Sequence, residues 1–421
     1  MQIDHSAGLI KFALTQVSVR AISQIRCRIF KNENALNPSV SSPLPSCPHR
    51  PSCPGCPRYG EPSVSRPVQL RLNGLAEAHG LPEVGVISGE LQAFRLRARL
   101  AIRGRQNSPK IGLFELDSHR VVHIPNCRVH HPLINEVASV VRRTLVEARV
   151  TSYSDKAHLG VARYLQVVVE RGSQTAQVVM VANSLTAEPL NECFALIRER
   201  LGERLHSLWF NANTGRGNTI LGADWQLIHG PEAVVESFGG PGVYYPPGAF
   251  GQSNLGIAEQ IIGRVRAEIS GGSRVCEFYA GVGAIGLSVL DQTAQLAMNE
   301  VSPQSLRGLE MGMAQLSAAQ RDKISVHPGP AGTSLPMADG ADVVILDPPR
   351  KGLEGELSEF LRSKPPRKLL YVSCDLDSLQ RDAAALCAAG GMRLKSLQAF
   401  NLMPFTEHVE TLAIFEGKYI E

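Results

Sequence analysis

From Pro247 to the C-terminus, short apolar runs alternate with helical segments, and this alternation leaves few folds open. SRVCEFYAG, QLAMNE, ADVVILDPP and KLLYVSC each end in small or polar residues, as strands do where they leave a sheet. Ser253 or Asn254 is placed to cap a helix in which Ala258, Ile261, Ile262, Val265 and Ile269 form one apolar stripe. Strands with helices between them predict an α/β chain on a doubly wound parallel sheet over 241–421. No solenoid-type repeat competes with that reading.

Open α/β sheets bind ligands beyond the carboxyl ends of their strands. In EFYAGVGAIGLSVL, Gly281, Gly283 and Gly286 form a G-x-G-x-x-G turn, with a helix expected to follow. Glycines there let a ligand approach the backbone. Glu300 ends the next strand at the spacing that suits a ribose, where a carboxylate accepts both hydroxyls. Asp347 closes DVVIL ahead of two prolines that stiffen the loop. Cys374 ends KLLYVSC, and Leu376, Leu379, Ala383 and Leu386 then recur at helical spacing. A thiol at a strand end before a helix is either a buried spectator or a nucleophile. Its convergence with the glycine turn, Glu300 and Asp347 favours the nucleophile.

The preceding region, 47–240, reads as a separate α+β unit. LQAFRLRARLAIRG alternates apolar and basic residues like a half-buried strand with a cationic face. ARYLQVVVERG and TAQVVMVAN, separated by Gly172-Ser173-Gln174, predict a hairpin, and a helix follows over 190–201. The net charge of +4 is mild but unevenly spread. Between Leu91 and His131, eight Arg and Lys residues face only Glu115 and Asp117. Arg95, Arg97, Arg99 and Arg103 are therefore candidates for contact with a phosphate backbone, the alternative being a solvated strand face. No apolar run approaches the ~18 residues that would span a bilayer, so no membrane partner is expected.

Nine cysteines, an odd number, argue against a disulfide framework. Cys27, Cys193, Cys276 and Cys387 lie in apolar surroundings and read as small core residues. Cys47, Cys53 and Cys56 form C-x5-C-x2-C, and Cys127 sits in a similarly polar loop. Four thiolates hold either zinc or an iron–sulfur cluster. His49, His130 and His131 keep a mixed Cys/His zinc site open as the alternative. Residues 1–46 carry five basic and two acidic residues without a domain pattern, and read as a loosely ordered or transit-like extension.

With these motifs in view, the sequence resembles the S-adenosylmethionine-dependent RNA uridine-5-methyltransferases, in particular the iron–sulfur branch that methylates ribosomal RNA. The likeness runs from Cys47 to Glu416. It implies a class I methyltransferase domain and a [4Fe–4S] cluster on Cys47, Cys53, Cys56 and Cys127. AFGQSN looks like the family's F-x-Q-x-N segment and implies a cofactor contact by Gln252; Tyr279, Glu300 and Asp347 match other cofactor-side positions. LLYVSCDLDSLQRD implies Cys374 as the nucleophile, and NLMPFTEHVETLAIF implies Glu410 as the base. Two residues depart from the pattern: Asp375 stands where Asn is usual, and Phe405 where many members have His. Residues 1–46 are also too short for the RNA-binding β-barrel with which many relatives begin.

The chemistry needs such a pair. Uracil C5 is a weak nucleophile until a thiolate adds at C6, and a base must then remove the C5 proton. The helix N-terminus after Cys374 should favour the thiolate, and Asp375 should oppose it. The implied partner is RNA with the target base turned out of its stack, ribosomal rather than transfer RNA, for a cytoplasmic or organelle-imported monomer. Other readings are a transfer RNA enzyme and a catalytically silent RNA-binding assembly factor with a zinc site.

Overall fold

Among the described residues the first regular element is a helix, α1 (Arg66–Ala78), which Ser65 caps: its Oγ accepts from Val68 N, and Pro67 sits in the first turn. The computed structural model describes residues 44–388 and 390–417. Cys27 and nearly all of the expected N-terminal extension lie outside the described residues.

A short strand, β1 (Val86–Ile87), precedes a seven-stranded sheet of order β4-β3-β2-β5-β6-β7-β8. Its strands are β2 (Arg97–Arg105), β3 (Ser108–Phe114), β4 (Val121–His123), β5 (Ala162–Glu170), β6 (Thr175–Ala182), β7 (Leu205–Ala212) and β8 (Asp224–His229). All neighbours are antiparallel except β6 and β7. The expected hairpin is β5–β6, with Gln174 at φ 57 taking the left-handed turn position. Helices α2 (Pro132–Glu147) and α3 (Asn191–Leu201) bury Val137, Val141, Phe194 and Ile197 in the same core as Leu100, Leu165 and Val178. The first residue of α2 is a proline, and its cap is His131.

After the hairpin β9 (Val234–Glu236) and β10 (Val243–Tyr245), Asn254 caps α4 (Leu255–Ala267) through Ile257 N. The stripe Ala258, Ile261, Ile262 and Val265 is buried as expected, and Ile269 packs just beyond the helix. An eight-stranded sheet follows, of order β1-β16-β17-β15-β14-β11-β12-β13. It comprises β11 (Ser273–Phe278), β12 (Thr293–Glu300), β13 (Ile324–Pro328), β14 (Val343–Leu346), β15 (Lys368–Ser373), β16 (Met392–Phe400) and β17 (Glu410–Gly417). Strands β11 to β15 pair in parallel, whereas β17 runs antiparallel between β15 and β16. Crossover helices include α5 (Pro303–Ala314), α6 (Ala318–Arg321), α7 (Gly355–Ser363) and α8 (Leu376–Ala388).

Two expectations change. The turn after β11 leads into a 3-10 helix, Leu287–Val289, rather than an α-helix. Three glycines within six residues weaken helix propensity there, and Ser288 N and Val289 N bond to carbonyls three residues back. The boundary near 240 separates two sheets but not two cores. One apolar cluster runs from Leu96, just before β2, to Leu412 in β17, and the chain from Ser46 onward is one contact unit.

Candidate active site

The β15–β17 register decides the first relation in the site. Ser373 pairs with Thr411 in this antiparallel ladder, which sets Cys374 opposite Glu410 one step further on. Thr411 Oγ1 donates to Ser373 O at 3.2 Å and ties the two strand ends together. Cys374 is half-buried, and Glu410 is 4% exposed. Burial first, then the nearby Glu410 and Asp347 carboxyls, push the Cys374 thiol up to about 11, against the opposing charge of Arg350. Burial and Asp347 raise Glu410 to about 8; burial and Glu300 raise Asp347 to about 7.

The expected thiolate is thus disfavoured in the free protein, because desolvation and two carboxyls outweigh the helix end. Asp375 plays a different part from the one expected. Its Oδ1 accepts from Ser378 N at 2.9 Å, the bond of a helix N-cap, and the carboxyls that raise Cys374 are Glu410 and Asp347.

The glycine turn lies beside these groups at the carboxyl edge. Tyr279, Gly281 and Gly283 all have positive φ, 61°, 57° and 81°. A Cβ on Gly281 would meet nothing within 4 Å, so that stretch of backbone faces open space, whereas one on Gly283 would strike Leu309. Glu300 accepts Gly281 N at 2.7 Å on one oxygen, and Val301 N and Ser302 N on the other. Three of about four carboxylate lone-pair sites are taken, so the expected grip on both ribose hydroxyls narrows to one in this conformation. Tyr279 hydroxyl accepts from Glu354 N. Gln252 is partly buried in a loop held just after it, by Leu96 N donating to Ser253 O and by Asn254 Nδ2 donating to Leu402 O.

Sequence reasoning missed three side chains. Glu277, 1% exposed, has an Oε2 with no hydrogen-bond partner, and burial together with Asp347 holds its carboxyl well above the usual range. A charge inside the apolar run SRVCEF was the available signal. Arg350, in the loop after Asp347, is the cation that favours the Cys374 thiolate. Asp382, buried in α8, accepts from Tyr371 Oη and Leu353 N and so anchors the DPPRKG loop to β15.

The arginines divide. Arg97 stacks its guanidinium 4.3 Å from the Tyr245 ring centroid, and a Cβ on Gly251 would lie 2.6 Å from it, so it packs against the AFGQSN segment. Arg99 is exposed and donates to Gln166 Oε1. Arg95 is partly buried and donates toward Met403 Sδ at 3.4 Å. Arg103 is a correction: it is 6% exposed, fork-bonded to Asp155, and enclosed by Phe114, Tyr153 and Tyr164. Its charge is used inside the fold, which removes it from any phosphate-binding face.

Cys47, Cys53, Cys56 and Cys127 line one cavity of ≈ 130 Å³ together with His49, Tyr59, Arg95 and His130. Burial, Cys127 and Cys53 push the Cys56 thiol up to about 12. His131 is drawn away as the α2 cap. Among the described residues, no group of three or more His, Cys, Asp or Glu is arranged to hold a single metal ion. Cys193 and Cys276 are buried core residues as expected, and Cys387 is partly buried.

No model of a known protein family matches the chain. An uncharacterized RNA methyltransferase of Protochlamydia amoebophila is 35% identical over 389 residues, 90% of this chain and 99% of its own. The chain belongs to the RNA methyltransferases. A second such methyltransferase, from Geobacter sulfurreducens, is 27% identical over 89% of this chain and 77% of its own. Among solved structures, the tRNA (uracil-54, C5)-methyltransferase of Pyrococcus abyssi in complex with S-adenosyl-L-homocysteine is similar. It matches at a TM-score of 0.69 and 20% identity, over 87% of this chain and 86% of that one. At that identity the likeness carries the fold: the methyltransferase has a class I doubly wound sheet joined to a mixed α+β region. No described helix is long and apolar enough to cross a membrane.

Proposed function

We propose that this methyltransferase transfers a methyl group to C5 of a uridine in RNA through a covalent adduct between Cys374 and uracil C6. The observation that carries the reading is the β15–β17 register, which faces a thiol with a buried carboxyl of raised proton affinity. Covalent addition and proton removal at adjacent ring carbons need that pair. S-adenosylmethionine, bound along Gly281 and Gly283 with Gln252, Tyr279, Glu300 and Asp347 around it, would supply an electrophilic methyl. The open backbone at Gly281 fits such a ligand.

Cys374 must lose its proton first, and its raised thiol makes this the step that substrate binding has to assist. Arg350 and the N-terminus of α8 favour the anion. As the sulfur–C6 bond forms, the C5–C6 π pair moves toward C4 and its oxygen, and C5 becomes the nucleophile. Once C5 has taken the methyl, with the sulfonium S–CH3 bond broken and S-adenosylhomocysteine as leaving group, the Glu410 carboxylate takes the C5 proton, the C5–C6 double bond re-forms, and the sulfur–C6 bond breaks. With its proton affinity raised to about 8, Glu410 is mostly protonated at neutral pH and must give up that proton before it can act; the carboxylate that results is a stronger base than an ordinary one.

The four cysteines suit a [4Fe–4S] cluster on Cys47, Cys53, Cys56 and Cys127. What supports this is that all four thiols line one cavity; a zinc ion on the same thiols is the alternative. The cluster would cross-link the loop that carries it. The RNA is ribosomal on this reading, by the resemblance of the cysteine set, with its backbone along Arg99 and the edge near Arg95 and Arg97.

The test is incubation with S-adenosylmethionine and 5-fluorouridine-substituted ribosomal and transfer RNA in parallel. The expected result is a denaturation-stable protein–RNA adduct, on ribosomal RNA, that Cys374→Ala abolishes. An adduct on transfer RNA alone would reassign the substrate; none on either RNA, from protein shown to bind S-adenosylmethionine, would overturn the mechanism.

A further inference from the structure

Strand β17 begins at Glu410, and residues 401–409 before it belong to no helix or strand. The carboxyl therefore stands at the first ladder position after an irregular turn, and something other than sheet pairing must fix its approach. That turn is held from the cysteine loop. Tyr59 and Phe405 pack with ring centroids 4.9 Å apart and planes tilted by 44°, and Arg58 N donates to Phe405 O at 3.1 Å. The Arg58 guanidinium and Ser65 Oγ both engage the Glu407 carboxylate. Asn401 Nδ2 donates to Pro62 O at 2.9 Å, and Arg95, which faces Cys56 and Cys127, reaches Met403 Sδ.

Phe405 is 1% exposed and sits at φ 68, a conformation costly for a residue with a Cβ and sustained only by what surrounds it. Tyr59 supplies its ring partner. Tyr59 N in turn donates to Cys56 O, so that ring is one turn removed from a cysteine of the cavity. The loop 44–64 has turns but no helix or strand of its own. Sulfur–metal bonds at Cys47, Cys53 and Cys56 would be its main internal restraint.

We propose that the cysteine centre positions the catalytic base: the loop it fixes clamps the Phe405 turn and thereby holds Glu410 against the C5 proton, with Tyr59 and Phe405 as positioning residues. The proposal rests on the function proposed above.

The experiment separates two steps of one reaction. Fluorine at C5 cannot be removed as a proton, so adduct formation with 5-fluorouridine RNA needs Cys374 but not Glu410, whereas turnover on ordinary RNA needs both. In the full-length protein with its metal content measured, Tyr59→Leu should slow turnover by roughly 10- to 100-fold, the scale of an ångström of misplacement, with adduct formation within about twofold of wild type. Tyr59→Phe should restore turnover. Amide exchange across 401–409 should quicken both in Tyr59→Leu and after the metal is chelated, with β5 and β6 unchanged.

Turnover by Tyr59→Leu at the wild-type rate, or equal loss of adduct and turnover, would overturn the proposal. So would unchanged exchange across 401–409 on metal removal. If wild type forms no adduct, the proposed chemistry fails, and the exchange measurement still decides whether the cysteine loop clamps the turn.

Discussion

Glu277, Asp347 and Glu410 are carboxyls whose affinity for protons is raised by burial and then by a neighbouring carboxyl, Asp347 for Glu277 and Glu410, and Glu300 for Asp347. The folded state therefore binds more protons than the unfolded chain between about pH 4.5 and 8. Their contribution is fully present below the ordinary carboxylate range and is lost as pH rises through their folded values. Glu410→Gln removes one such group while keeping its shape. Its thermal midpoint relative to wild type should rise between pH 5 and pH 8.5, by the equivalent of about 1–4 kcal/mol. A difference that does not change with pH would mean Glu410 is not held protonated. At this scale Cys374, Asp347 and Glu300 were legible because each ends an apolar run, and Glu410 because of its motif. Glu277 and Arg350 were not, since their roles depend on which strand lies beside which, a relation a linear pattern does not carry. Asp375 was misread for a related reason: the helix after it was expected, but the bond to Ser378 N that its carboxylate makes was not.

Among the elements, the strands of the catalytic sheet were the most legible, because a strand buried on both faces writes itself as an unbroken apolar run. The connection from β11 to β12 was the least. Its glycines read as a helix start, yet Gly286 is small because Glu277 lies beneath it. A Cβ there would come 2.3 Å from Glu277 Oε2 and 2.9 Å from Met298 Sδ. Gly286→Ala should therefore destabilise the protein by about 1–3 kcal/mol, as overpacking does, even though Ala is the better helix former. Urea denaturation checks this, and a stabilised variant would mean that the turn is free to rewind as a regular helix. The antiparallel β17 was also not anticipated. Its apolar sequence is the same in either direction, and only the register to β15 brings Glu410 to Cys374.

For the molecule as a whole, the basic strand β2 divides between holding the fold and facing outward. Arg99→Ala should lower the salt slope of RNA binding by roughly 0.7–0.9, the value for one lost phosphate contact, and leave the urea midpoint in place. Arg103→Ala should do the reverse, costing about 1–3 kcal/mol because Asp155 and two backbone carbonyls lose their donor. Equal slopes in the two variants would return Arg99 to the role of a solvated side chain. Alternation in the sequence identified the face, but not that aromatic rings close over one end of it. The two sheets were read correctly as distinct, and their common core was not, because apolar residues facing a neighbouring sheet look the same as those facing their own. The pairing of β1 with β16 carries that union further: Val86 meets Ala399, about 310 residues later in the chain. At 5–20 residues per second, synthesis takes roughly 15–60 s to make the partner after the strand itself has emerged. Among the described residues, the first strand of the catalytic sheet to leave the ribosome is thus among the last to be paired, and until then water must satisfy the backbone groups that β16 will later bond.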